Sequence, residues 1–195
     1  MTVPILPAAC DVRIDPETGL VEGTDYLPSP HCDERPAGTA IELLVVHAIS
    51  LPAGEYGGAD VAALFCGTLD CTRRADYADL ASLRVSAHFF IRRHGQITQF
   101  VPVHRRAWHA GVSRFAGRER CNDFSVGIEL EGCDDDAFTS PQYVVLAALT
   151  RALREAFPAI GAEAIVGHSE IAPGRKTDPG PHFDWARYRA ALLEV

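Results

Sequence analysis

The chain has 195 residues, enough for one domain with a substantial core, and a split into two would be strained. Hydrophobic residues make up 47% and charged residues 23%, the balance of an ordinary globular protein. The formal charge of −8 argues against a nucleic-acid or anionic-membrane surface, which needs a basic patch, but leaves room for a small anionic substrate held by a few arginines.

The N-terminus, MTVPILPAACDVRIDPETG, breaks a short apolar run with two prolines and has no basic start, so no signal peptide is expected. No apolar run reaches the roughly 18 residues that span a bilayer. The six cysteines (Cys10, Cys32, Cys66, Cys71, Cys121, Cys133) are therefore expected as reduced thiols in a cytoplasmic protein. Residues 1–40, rich in Pro, Asp, Glu and Gly, read as an extended surface arm, and the domain division expected is an arm at 1–28 and a single domain at 29–195.

Glu42 to Ala48 is an apolar run suited to a strand buried on both faces, with His47 near its C-terminal end, where ligands of open α/β sheets gather. Leu51 to Gly58 is a loop; Ala59 to Phe65 and Tyr77 to Leu83 are short helical candidates. Val85 to Arg93 and Gln96 to Val101 flank His94-Gly95 and read as a hairpin. A long loop is expected from Trp108 through Arg114, Arg118 and Arg120, then a strand over Phe124 to Leu130. Ser140-Pro141 offers an N-cap and a first-turn proline for a helix whose Leu146, Leu149, Leu153 and Phe157 recur at spacings of three and four, ending at Pro158. Ala164 to Val166 reads as a buried strand, and a last helix capped by Asp184 buries Trp185, Tyr188 and Leu192. The order predicts a mixed α/β fold, a central sheet flanked by helices.

The most informative stretch, Val166 to Pro181, follows that last strand as V-G-H-S-E-I-A-P-G-R-K-T-D-P-G-P. His168 and Asp178 are too far apart for one helix turn, so a proline-stiffened loop must fold back to unite them. With His47 they make a two-histidine, one-carboxylate set able to hold one zinc ion and leave a fourth position open for chemistry. Amide hydrolysis beside such an ion needs a base and an oxyanion stabiliser. Glu129 and Glu131 lie on one face of the same strand, and the residues alone leave the choice between them even.

V-V-H-A-I-S at His47, L-R-V-S-A-H at Arg84, H-A-G-V-S at His109, N-D-F-S-V-G-I-E-L-E-G at Glu129 and the stretch after Val166 together resemble the zinc N-acetylmuramoyl-L-alanine amidases of the amidase/peptidoglycan-recognition-protein-like fold. The likeness is nearest to the cytoplasmic AmpD type, which cleaves 1,6-anhydro-N-acetylmuramyl peptides in cell-wall recycling, and it runs from about Ser29 to Tyr188. It implies His47, His168 and Asp178 as ligands of one zinc, Glu129 as general base and Lys176 as oxyanion stabiliser. It also implies Arg84 and Arg120 as partners of stem-peptide carboxylates, with Trp108 and Phe65 as an apolar wall for the sugar; core packing and surface ion pairing are the plainer uses of these four. His88 and His109 fall outside the ligand set, in supporting or structural roles. A monomer acting on a small soluble muropeptide, with no nucleic-acid or membrane partner, is expected. Ala48 departs from the asparagine usual in close relatives, which puts one sugar contact and strict preference for the anhydro-sugar in question. Two other readings stay open: a muropeptide-binding module that does not cut, which should lack part of this set, and an amidase of polymeric peptidoglycan, which needs export.

Overall fold

The computed structural model describes residues 12–193. In chain order the elements are β1 (Asp25–Tyr26), β2 (Cys32–Glu34), β3 (Leu43–Ile49), α1 (Asp60–Phe65), β4 (Phe89–Ile91), β5 (Ile97–Gln99), β6 (Arg105–Ala107), β7 (Arg114–Phe115), β8 (Arg118–Glu119), β9 (Ser125–Glu131), α2 (Ser140–Ala156), β10 (Ile165–Gly167), α3 (His168–Ile171) and α4 (Trp185–Leu193). Six strands form one mixed sheet in the order β1-β5-β4-β9-β3-β10. Strands β4, β9, β3 and β10 run parallel, while β5 pairs antiparallel with β4.

The central pair β3 and β9 has every residue from Leu43 to Ile49 in register with Ser125 to Glu131. Alternation along these strands sends two sets of side chains to opposite faces. Leu44, Val46, Val126, Ile128 and Leu130 go to the back face, where Leu146, Leu149 and Leu153 of α2 and Tyr188 of α4 complete the main core. The apolar period of α2 gives it one face for this packing. The front face carries two smaller clusters, one around Phe65, Phe90 and Phe100 and one around Val45, Val166 and Ile171. Between them lie His47 and Glu129.

Several elements differ from expectation. The segment before residue 29 joins the fold: β1 pairs parallel with β5, Ile14 bridges to Val21, and Val21 is buried in the main core. The part of the expected arm at residues 1–11, Cys10 included, lies outside the described residues. The stretch around Trp108 to Arg120 is more ordered than a long loop, with β6 paired to β2 just before it and β7 to β8 within it. The Tyr77 to Leu83 candidate is a 3₁₀ helix shifted to Ala75–Leu80. The cap of α2 is Thr139 rather than Ser140: Gln142 N donates to Thr139 Oγ1 and Thr139 N to Gln142 Oε1, a reciprocal box that satisfies two end donors. Asp184 does cap α4, accepting from Arg187 N at 2.9 Å. The five described cysteines are free thiols. No helix among the described residues is long and apolar enough to cross a membrane.

Candidate metal centre and active site

The site assembles at the C-terminal ends of two neighbouring parallel strands. His47 is the fifth residue of β3, and β10 ends at Gly167, one residue before His168 opens α3. The chain then turns through Pro173-Gly174 and folds back, with Ser169 N donating to the Asp178 carbonyl at 3.0 Å. A side chain at Gly167 would meet Pro179 Cδ at 2.8 Å, so glycine lets the returning loop lie against the strand end.

This closure brings His47 Nδ1, His168 Nδ1 and Asp178 Oδ2 into a triangle with sides of 3.0, 3.1 and 3.1 Å. Tetrahedral zinc with ligand bonds near 2.1 Å separates its donors by about 3.4 Å, so a small outward adjustment of these atoms fits the ion. The donor chemistry fits as well. His168 Nε2 donates to the Ala110 carbonyl at 3.1 Å, which leaves Nδ1 of the neutral ring as a bare lone pair facing another nitrogen and a carboxylate. Three inward-facing donors of this kind call for a cation. Burial lowers the pKa of His47 to about 4, which keeps it unprotonated and ready to ligate. Burial opposes ionisation of Asp178, but its contacts with His168 and His47 outweigh that and hold the carboxyl well below its usual range.

Glu129 stands opposite His47 in the β3–β9 register, on the same face. Its Oε2 is buried and has no hydrogen-bond partner among the described residues. Burial, and then the nearby Asp178 carboxylate, push its pKa well above the ordinary glutamate value, with Lys176 pulling weakly the other way. Glu131 is occupied: Oε1 accepts from Gly57 N at 2.7 Å and Arg92 Nη1 at 3.1 Å, and Oε2 accepts from Arg93 N at 3.0 Å. It pins the Leu51 to Gly58 loop and the β4–β5 turn to the sheet. Lys176 is exposed on the loop between the two later ligands, and its backbone N–H donates to the Ala172 carbonyl.

The expected substrate contacts divide. Trp108 is half-buried, its indole N–H donating to Asp33 Oδ1 at 3.1 Å and its ring stacked on His31. Asp33 is in turn held by both ends of the Arg106 guanidinium, which also pairs with Asp123. Arg120 is exposed and lines an open cleft of about 590 Å³ with Val112, Ile171 and Arg175. Arg175 closes the wall by donating to the carbonyls of Ala110 and Val112. Arg84 is exposed and turned onto the carbonyls of Ala81 and Leu83. Phe65 is corrected: at 2% exposure it packs edge-to-face on Phe100 in the front-face core and presents no surface for a sugar. Ala48 packs against the main core, on the face opposite His47.

Residues without an expected role hold the site together. Asn122 Oδ1 accepts from both His109 N and Ala110 N, fixing the carbonyl that orients His168. Arg35 donates to the carbonyls of Val103, Asn122, Asp123 and Ser125, tying the N-terminal segment to the same turn. The N-D-F-S-V-G motif contains Asn122, Ser125 and Gly127, so a signal for part of this network was present.

Residues 37–181 match the family model described as N-acetylmuramoyl-L-alanine amidase. The sequence is 58% identical over 176 residues to the 1,6-anhydro-N-acetylmuramyl-L-alanine amidase AmpD of Escherichia coli (strain K12), covering 90% of this chain and 96% of that one. The fold matches the crystal structure of a selenomethionine AmpD derivative with a TM-score of 0.88 and 56% identity, over 92% of this chain and 98% of that one. It also matches AmpDh3 from Pseudomonas aeruginosa in complex with anhydromuramic pentapeptide, with a TM-score of 0.60 and 30% identity, over 80% of this chain and 61% of that one.

Proposed function

The chain belongs to the N-acetylmuramoyl-L-alanine amidase family, and on that premise we propose that it is a zinc-dependent enzyme cleaving the amide between the lactyl group of 1,6-anhydro-N-acetylmuramic acid and L-alanine. The observation that carries the catalytic reading is the triangle of inward-facing donors with a buried, unpaired carboxylate in register beside it.

His47, His168 and Asp178 would hold one zinc ion. When bound, the ion supplies Lewis acidity toward a carbonyl and lowers the pKa of water. Glu129 accepts the proton of the attacking water on its free Oε2; its raised pKa makes it a stronger base than an exposed glutamate and able to hand the proton on to the leaving amine. Lys176 supplies positive charge to the carbonyl oxygen as the tetrahedral carbon forms. Arg120 on the cleft wall, and Arg84, meet the carboxylates of the stem peptide, and Trp108, locked by Asp33, offers its ring to the sugar. We assign residues 29–195 as the amidase domain, strapped by the segment before it, and a monomer acting on a soluble muropeptide in the cytoplasm. The assembled donor set and free Glu129 favour this over a binding module that does not cut.

The test pairs zinc content with turnover of anhydro-muramyl-tripeptide and its non-anhydro counterpart, for wild type and Glu129→Ala. One zinc per chain, cleavage of the anhydro substrate and a mutant that keeps zinc but loses turnover are expected. Equal cleavage of both substrates would remove the sugar preference and keep the amidase; absence of zinc would overturn the mechanism.

A further inference from the structure

The ligand His47 needs a partner for the side of its ring that turns away from the triangle. A neutral imidazole carries one proton. With Nδ1 directed at the ion, that proton sits on Nε2, and a buried N–H without an acceptor is costly. His47 is 1% exposed, and the contact made by its Nε2 is His109 Nδ1, at 2.8 Å. That nitrogen accepts only while His109 carries its own proton on Nε2. Ser125 Oγ lies 3.1 Å from His109 Nε2 and receives it.

The seat of His109 is built for this. A Cβ on Gly127 would lie 2.5 Å from His109 Cγ, so the ring rests directly on the β9 backbone where any other residue would expel it. Ser125, two residues earlier on the same face, reaches the far nitrogen. The backbone of His109 is held by Asn122 Oδ1. The nearby His88 does not compete: its Nδ1 accepts from Gly127 N, and its Nε2 faces the Arg105 carbonyl and the Arg35 guanidinium. His168 solves the same problem with a backbone carbonyl, so His47 is the ligand whose orientation depends on another side chain.

We infer that His109, seated on Gly127 and tied to Ser125, is the positioning residue that accepts the Nε2 proton of His47 and keeps its Nδ1 aimed at the metal. The inference rests on the zinc reading above. Removing such a partner of a ligating histidine typically costs 10- to 100-fold in metal affinity.

The experiment measures the zinc dissociation constant by chelator competition, with the visible spectrum of the cobalt-substituted protein and a thermal melt, for wild type, His109→Leu, His109→Asn and Ser125→Ala. Asparagine puts an oxygen where Nδ1 stands; leucine fills space without an acceptor. His109→Leu is expected to weaken zinc about 10- to 100-fold and to alter the cobalt spectrum, with His109→Asn restoring most of both and Ser125→Ala giving a smaller loss. Unchanged affinity in His109→Leu overturns the inference, as does a His109→Asn protein no better than the leucine variant. If the leucine variant does not fold, Ser125→Ala decides, and an unchanged constant and spectrum overturn it. Wild type without zinc fails the parent reading instead, which separates the two.

Discussion

Strands β3 and β9 present Leu44, Val46, Val126, Ile128 and Leu130 to one side, each at most 1% exposed, and His47, Ser125, Gly127, Glu129 and Glu131 to the other. The first set meets α2 and α4 in a continuous apolar core. The second is nearly as deeply buried but polar, and among its buried side-chain nitrogens and oxygens Glu129 Oε2 lacks a hydrogen-bond partner. Depth of burial is thus alike on the two sides, and what differs is whether the buried group has been satisfied. The unsatisfied one is the group proposed above as the general base.

The largest effect that would sharpen this contrast lies within the polar side. Glu129→Gln is expected to lower turnover about 10²- to 10⁴-fold while keeping zinc. Glu131→Gln is expected to retain most turnover and instead lose about 1–3 kcal/mol of stability, because it weakens the acceptors of three part-buried hydrogen bonds. Steady-state kinetics beside denaturant melts would reveal the two patterns, and their exchange would mean that the general base had been misassigned. On the apolar side, Leu146→Ala is expected to cost about 2–5 kcal/mol of stability and to leave zinc affinity unchanged. A metal site that weakened in proportion would mean the two faces are coupled.

The smallest effect is in pH. Folding raises the Glu129 pKa above its ordinary value, so the folded protein binds this proton more tightly than the unfolded chain does. Ionising Glu129 therefore costs stability, and the cost grows as pH rises from the unfolded value of 4.5 toward the raised folded value. Glu129→Gln should make the metal-free protein melt higher than wild type above that window and equally below it. In the zinc-loaded enzyme turnover should fall in acid as Glu129 takes up its proton and can no longer act as a base. A melting difference that vanished at neutral pH would show that Glu129 is solvated after all.

The apolar side was the more legible in sequence. The period of α2 and the unbroken runs of β3 and β9 identified those elements from local pattern alone. Strands β1, β2 and β6, at two or three residues each, are too short to carry a period and are defined by partners far along the chain. On the polar side, the three donors that the fold brings together were singled out through their motif. Arg35 and Asp33 were not, since each sits in turn-like sequence and makes its bonds to residues some 70 to 90 positions away. The choice between Glu129 and Glu131 had no local signal either. Two glutamates on one face of one strand look alike until the loop bearing Gly57 and the guanidinium of Arg92 are seen to take one of them.

The candidate ligands His47 and His168 are separated by 121 residues, and β10, which delivers the second, is the edge strand laid beside β3. The three donors are therefore split along the chain, and β3, held between β9 and β10, carries a single one. Two more arrive only when β10 docks and its following loop closes. The complete triangle thus depends on one edge strand, and loosening β10 from β3 would scatter the donors while leaving β3, β9 and β4 paired.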